Sequence, residues 1–250
     1  MNTAPKTTQG LKEHTYQTLK ERLIDCVYAP GSLLNEAQLA AEFGLSRTPI
    51  REAISRLEME GFVRTLPKKG IYVTNVTFQD VIQVFQTRLE IEPLALRLAA
   101  HRLPKDELLA FCKKFEEPVV DIQNSFRLDT AMHLFIIENC GNRYIINMMR
   151  RVFEDNTRIV ISSKQNQTQI HDAKQEHLDI LHLLYHDQYE QAAVKMRTHI
   201  ESCRRAAMDY FCNVPLPAPE QGNFYQRELN KLCARQAGGK GPDRFPRRFF

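Results

Sequence analysis

The sequence predicts a mainly α-helical chain in two parts: a winged helix-turn-helix of three helices and a β-hairpin, then an all-helical bundle. Three observations predict this. Two short amphipathic runs meet at Gly44. Two β-prone runs flank a Pro67–Lys68–Lys69–Gly70 turn. From Phe78 to about Cys212 apolar residues recur at helical spacing, with few alternating runs.

The elements follow in order. Tyr16, Leu19, Leu23 and Ile24 give a first helix over Thr15–Val27, broken by Pro30–Gly31. Glu36–Leu45 reads as a short helix whose apolar face is Leu39, Ala40 and Phe43, stopped by Gly44. A further helix starts at Ser46 and runs through Ala53, Ile54, Leu57 and Met59 to Gly61. Ser46 is placed to cap it by accepting a backbone N–H, and Pro49 suits its first turn. A short helix, a turn with glycine and a second helix form a helix-turn-helix. Phe62–Val73 supplies the hairpin, with a basic tip.

Val76–Thr77 marks a boundary. Beyond it, helices are expected over Phe78–His101, from Pro104 to about Val120, Asn124–Asn139, Arg143–Ser163, about Ile170–Asp187, and Tyr189–Cys212. The organisation is therefore a flexible N-terminus (1–10), a winged helix-turn-helix (11–76), a helical bundle (78–212) and a disordered basic tail (213–250). A short helix is expected in that tail near Phe224–Ala234.

Composition narrows the function classes. No long apolar run is present, so no membrane span is expected. Met1–Gly10 lacks the apolar core of a signal peptide. The six cysteines are scattered without a CxxC pair and read as reduced thiols of a cytoplasmic protein. The chain carries a formal charge of +4. Residues 1–77 hold 10 basic and 8 acidic side chains, residues 78–212 hold 17 and 19, and the tail holds 7 and 3. Any grip on nucleic acid by the folded part must therefore rest on placed arginines rather than bulk charge.

Two constellations carry chemistry. Arg47 and Arg51 lie one turn apart at the start of a helix, an arrangement suited to guanine edges and phosphates in a major groove. The plainer alternative is a surface helix with two solvated arginines. In the bundle, Asp129 and His133 share one helix face, four residues apart. His177 and His199 lie equally far before and after a turn near Gln188, so an antiparallel helix pair brings them to one height. One carboxylate and three imidazoles then converge, a set suited to zinc or nickel with positions left for water or a ligand. The plainer alternative is a group of satisfied core histidines.

The N-terminal words Pro30–Gly31, Leu39–Ala40, Gly44–Ala53, Leu57–Glu58, Gly61–Phe62–Val63 and Gly70 followed by Val73 closely resemble the DNA-binding domain of the GntR family of bacterial transcription regulators. That resemblance implies DNA contacts from Ser46, Arg47, Thr48, Pro49 and Arg51, and from a wing at Lys68, Lys69 and Gly70. Ala37 stands where some members place a further DNA-contacting arginine. The bundle words Arg88–Glu92, Asp129–His133, Gly141–Asn142, His177–Leu181, Asp187, Ala192–Ala193, Met196 and His199 resemble the FCD effector domain of the FadR subfamily. This second resemblance implies Asp129, His133, His177 and His199 as metal ligands, and a small carboxylate as effector. Arg88 is a candidate second anchor for that acid by bidentate pairing, against a structural ion pair as the alternative. Asn142 is a candidate pocket group, against a helix-connecting turn. The family also implies a homodimer on a near-palindromic double-stranded operator, with repression as the commoner mode. Two other readings are a purely structural or directly sensed metal, and a metal-dependent hydrolase; no general base is evident for the latter.

Overall fold

The computed structural model describes residues 8–118, 122–164 and 173–213. The first helix, α1, covers Thr8–Ile24 and starts earlier than its apolar spacing suggested. Residues 8–10 of the expected flexible N-terminus are thus helical. Ion pairs Lys12–Glu52 (2.8 Å) and Arg56–Glu13 (2.7 Å) tie this first part of α1 to the next long helix. Tyr16, Leu19 and Leu23 point inward, three and four residues apart.

The helix α2 spans Glu36–Phe43 and α3 spans Arg47–Met59. Asn35 caps α2, its side-chain oxygen accepting the amides of Ala37 and Gln38. Gly44 ends α2 in the left-handed conformation at φ +63°. Ser46 does sit at the start of α3 with an extended backbone, but its side chain makes no capping bond. The expected Ser46 cap is therefore absent, and the hydroxyl stands exposed beside the first amides of α3.

Strands β2 (Val63–Leu66) and β3 (Gly70–Val73) form the expected hairpin. A two-residue strand that the sequence did not signal, β1 (Leu33–Leu34), pairs antiparallel with the far edge of β3. The sheet order is β1-β3-β2. Gly70 owes its identity to this sheet: at φ +115° a Cβ would lie 2.6 Å from the Leu34 carbonyl oxygen. Ile50, Ala53, Ile54, Leu57, Phe62, Ile71 and Val73 close a small core with α1.

The second core belongs to six helices: α4 (Phe78–Ala99), α5 (Lys105–Glu116), α6 (Ile122–Glu138), α7 (Arg143–Lys164), α8 (Lys174–Tyr185) and α9 (Tyr189–Asn213). Thr77 and Asp80 form a capping box that starts α4. Ala100–Arg102 is a 3-10 turn, so α4 stops short of His101. Pro93 lies inside α4 and is buried. Asp187, at φ +59°, turns the chain from α8 into α9. The expected tail beyond Asn213, with its helix near 224–234, lies outside the described residues, as do residues 1–7 and the expected helix ends at Val120 and Ile170. No described helix is long and apolar enough to cross a membrane.

Candidate metal centre and DNA-reading face

Helix α6 supplies Asp129 and His133, α8 supplies His177 and α9 supplies His199. One donor atom from each lies within 4.8 Å of every other. His199 Nε2 is 3.2 Å from both His133 Nε2 and His177 Nε2. His177 Nε2 is 2.9 Å from Asp129 Oδ1. The Nδ1 edges of two rings are held from behind by carboxylates: His133 by Glu92 at 2.5 Å and His199 by Glu176 at 2.8 Å. A carboxylate there keeps the proton on Nδ1 and turns the Nε2 lone pair to the centre. His133 and His199 then face each other with two acceptors and no proton between them. Such a pair repels unless a cation lies against it, so these residues fit a divalent metal.

The surroundings agree. The three histidines are at most 2% exposed. Phe115 packs against the His177 ring at 4.8 Å and Phe153 against His133 at 5.6 Å. The Asp129 side chain is 26% exposed, so the cluster opens on that side. Burial pushes the Asp129 carboxyl up, but the neighbouring His177 outweighs it and holds the group well below the usual range. Burial likewise opposes ionisation of Glu92, yet Arg88 and His133 bring it down to about 2. Burial lowers His199 to about 4, with His177 and His133 adding to the effect and Glu176 opposing it. Carboxylates are thus ionised and His199 is neutral near neutral pH, as metal ligation requires.

The two other candidates from the bundle sit elsewhere. Arg88 is buried on α4, where Nε donates to Glu92 Oε1 at 2.5 Å and Nη1 donates to Asn156 Oδ1 at 2.8 Å. Its guanidinium stacks over Phe153 at 4.8 Å. These contacts make the ion pair that was the structural alternative for Arg88, with Glu92 as the partner. Asn142 is exposed, and its side-chain oxygen accepts the amides of Tyr144 and Ile145. It caps α7, as the helix-connecting alternative expected. Glu92, Glu176 and Asn156 were missed by sequence reasoning. Glu92 had a signal: with Phe85, Leu89 and Leu96 it falls on the inward stripe of α4.

On the winged helix, Ser46, Arg47 and Thr48 are exposed at the first turn of α3. Pro49, in the same turn, is buried. Arg51 is 66% exposed, its Nε 2.8 Å from Glu36 Oε1 in a charge contact on α2. Lys68 and Lys69 are exposed at the hairpin tip, Lys68 with φ +62°.

A helix-turn-helix with an exposed basic start and wing, joined to a bundle holding a metal-capable cluster, has the build of a DNA-binding regulator. The comparisons are specific. Residues 11–73 match the family described as bacterial regulatory proteins, gntR family, and residues 83–202 match the FCD domain. The chain belongs to the GntR family and carries an FCD domain. It is 32% identical over 143 residues to the HTH-type transcriptional regulator YdhC of Bacillus subtilis (strain 168), covering 55% of this chain and 64% of that one. It is 27% identical over 179 residues to the Nta operon transcriptional regulator of Aminobacter aminovorans, covering 70% and 83%. The solved structure of Escherichia coli McbR/YncC shares the fold, with a TM-score of 0.67 at 17% identity over 80% of this chain and 98% of that one. Both sequence relatives are named as transcriptional regulators, and the hydrolase alternative falls away.

Proposed function

We propose that this protein is a sequence-specific transcription regulator, a repressor, whose operator affinity is set by a small carboxylic acid bound at a metal. The ligands are Asp129, His133, His177 and His199, and the metal is zinc or nickel. The observation that carries the reading is the convergence of three buried imidazole Nε2 atoms and one carboxylate, open on the Asp129 side. When bound, a divalent metal supplies a centre that keeps net positive charge beside a single carboxylate ligand. Glu92 and Glu176 orient the rings, and the Asp129 edge admits the acid. Arg47, Arg51 and the amides and hydroxyl at the start of α3 face the operator, with Lys68 and Lys69 near the adjacent backbone.

A second feature supports a homodimer. Leu94 and Leu98 on α4 and Val194 on α9 are exposed, at 43%, 44% and 64%. Ion pairs Arg97–Glu190 (2.9 Å) and Arg197–Glu90 (3.1 Å) bracket Leu94 and Val194 and join the two helices into one face. An apolar patch with a charged rim suits a second copy of this chain and two half-sites on near-palindromic DNA.

A thermal-shift screen of zinc-loaded protein against small carboxylic and sugar acids tests the effector, with His133→Ala as control. An acid at 100 times its dissociation constant adds about 2.7 kcal/mol to the native state. A stabilising acid whose effect vanishes in His133→Ala supports the reading. The depth of the histidines favours one alternative, a metal that is structural or is itself the signal. Metal-dependent operator binding with no acid response would replace the acid-sensor reading with that one.

A further inference from the structure

We infer that α7 is the lever connecting the metal cluster to the DNA-reading domain, driven by a buried polar relay of His133, Glu92, Arg88 and Asn156. The inference rests on the reading that the cluster binds a metal, and it names how occupancy there would reach the reader.

The relay is continuous. His133 Nδ1 meets Glu92 Oε2 at 2.5 Å, Arg88 Nε donates to Glu92 Oε1 at 2.5 Å, and Arg88 Nη1 donates to Asn156 Oδ1 at 2.8 Å. None of the four residues is more than 2% exposed. Asn156 lies on α7, and Phe153, one turn earlier, touches the relay at two points: the His133 ring at 5.6 Å and the Arg88 guanidinium at 4.8 Å. Buried charges with fixed partners resist separation, so a shift of the His133 ring is passed along the chain rather than absorbed.

The opposite face of the same helix grips the winged helix. Arg151, Glu154 and Arg158 are spaced three and four apart, so they share one side of α7, away from Phe153 and Asn156. Arg151 Nη2 donates to the Glu60 carbonyl oxygen at 2.6 Å, and its guanidinium lies 4.2 Å from the Phe62 ring centre. Arg158 Nη2 donates to the Thr74 carbonyl oxygen at 2.5 Å and lies 5.4 Å from the same ring. Glu154 pairs with Lys20 of α1 at 2.6 Å, and Lys20 also pairs with Glu60 at 2.9 Å. Phe62 is fully buried and follows directly on the end of α3. One helix therefore carries the relay on one side and the anchor of the reading domain on the other.

Hydrogen exchange measured by mass spectrometry, with and without zinc, tests this. Zinc is expected to slow exchange around the cluster in α6, α8 and α9. It is also expected to slow the amides of Gly61, Phe62 and Thr74, which close the turn after α3, by about fivefold or more, the lower end of common site-to-site coupling. In Asn156→Leu, which cuts the relay, and in Arg151→Gln, which loosens the grip at a half-exposed position, the cluster response should persist while the response at residues 61, 62 and 74 disappears. If Asn156→Leu does not fold, Arg151→Gln decides alone. Protection of the cluster without any change at residues 61, 62 and 74 of the wild type would overturn the inference and leave the metal reading standing. A full response in folded variants would overturn it equally. No protection by zinc anywhere in the wild type would sink the metal reading, and the inference with it.

Discussion

His199 titrates at about 4 in the fold and near 6.5 when unfolded, because burial beside two other imidazoles disfavours its charge. As pH falls, the unfolded chain takes up that proton first. Stability of the metal-free protein is therefore complete above pH 6.5 and declines between 6.5 and 4, by about 2 kcal/mol at pH 5. Glu92, held near 2 against its usual 4.5, adds a further loss only below pH 4.5. Urea denaturation of chelator-treated protein at pH 7.5 and pH 5 checks this; equal midpoints would contradict it. In the proposed metal site Glu92 reaches the ion only through His133, so Glu92→Gln should weaken zinc binding by roughly 10- to 100-fold, while His133→Ala should weaken it further. Competition with a chromogenic chelator measures both, and equal losses would argue against Glu92 as an orienting group. The convergence of Asp129, His133, His177 and His199 was legible because a four-residue interval and equal distances from one turn fix relative position. Arg88 and Glu92 were harder, since a charged pair on a helix usually faces water. Only their register with Phe85, Leu89 and Leu96 marks them as inward.

Among the elements, helix ends proved harder to read than helix bodies. The apolar spacing of α1 starts at Thr15, yet the helix begins at Thr8, held by ion pairs to α3 that no local pattern records. The strand β1 has two residues, too few for any alternation, and exists only because Gly70 lets the Leu34 carbonyl approach. Serine before a helix signals a cap, but Ser46 makes no capping bond, whereas Asn35 before α2, Thr77 before α4 and Asn142 before α7 do. Asn35→Ala and Asn142→Ala should each cost about 1 kcal/mol of stability, with Ser46→Ala costing much less. Thermal denaturation of the three variants ranks them. Asn142→Ala should also keep wild-type affinity for any acid found in the screen, since its oxygen already serves α7. A loss of acid binding with unchanged stability would restore it to the pocket.

For the whole molecule, two cores, one in the winged helix and one in the bundle, meet along α7, and in the proposed function a second copy of the chain reads the other half of an operator. Leu94→Glu should leave each chain folded and convert a dimer into monomers in analytical ultracentrifugation. Specific operator affinity should fall with it, because half of the contacts are lost. A dimer that survives this substitution would place the interface elsewhere. Arg47→Ala should remove discrimination between operator and random DNA, while leaving the dimer and metal content unchanged. The proposed coupling is that what occupies the histidine cluster decides how well the α3 helices grip DNA. It is tested most directly by measuring operator affinity, after the operator has been selected from random duplex DNA, for metal-free, zinc-loaded and zinc-plus-acid protein. The acid is expected to lower affinity of the zinc-loaded form about tenfold or more, equivalent to about 1.4 kcal/mol of coupling. No effect of the acid is expected on His133→Ala. One affinity across all three states would contradict it.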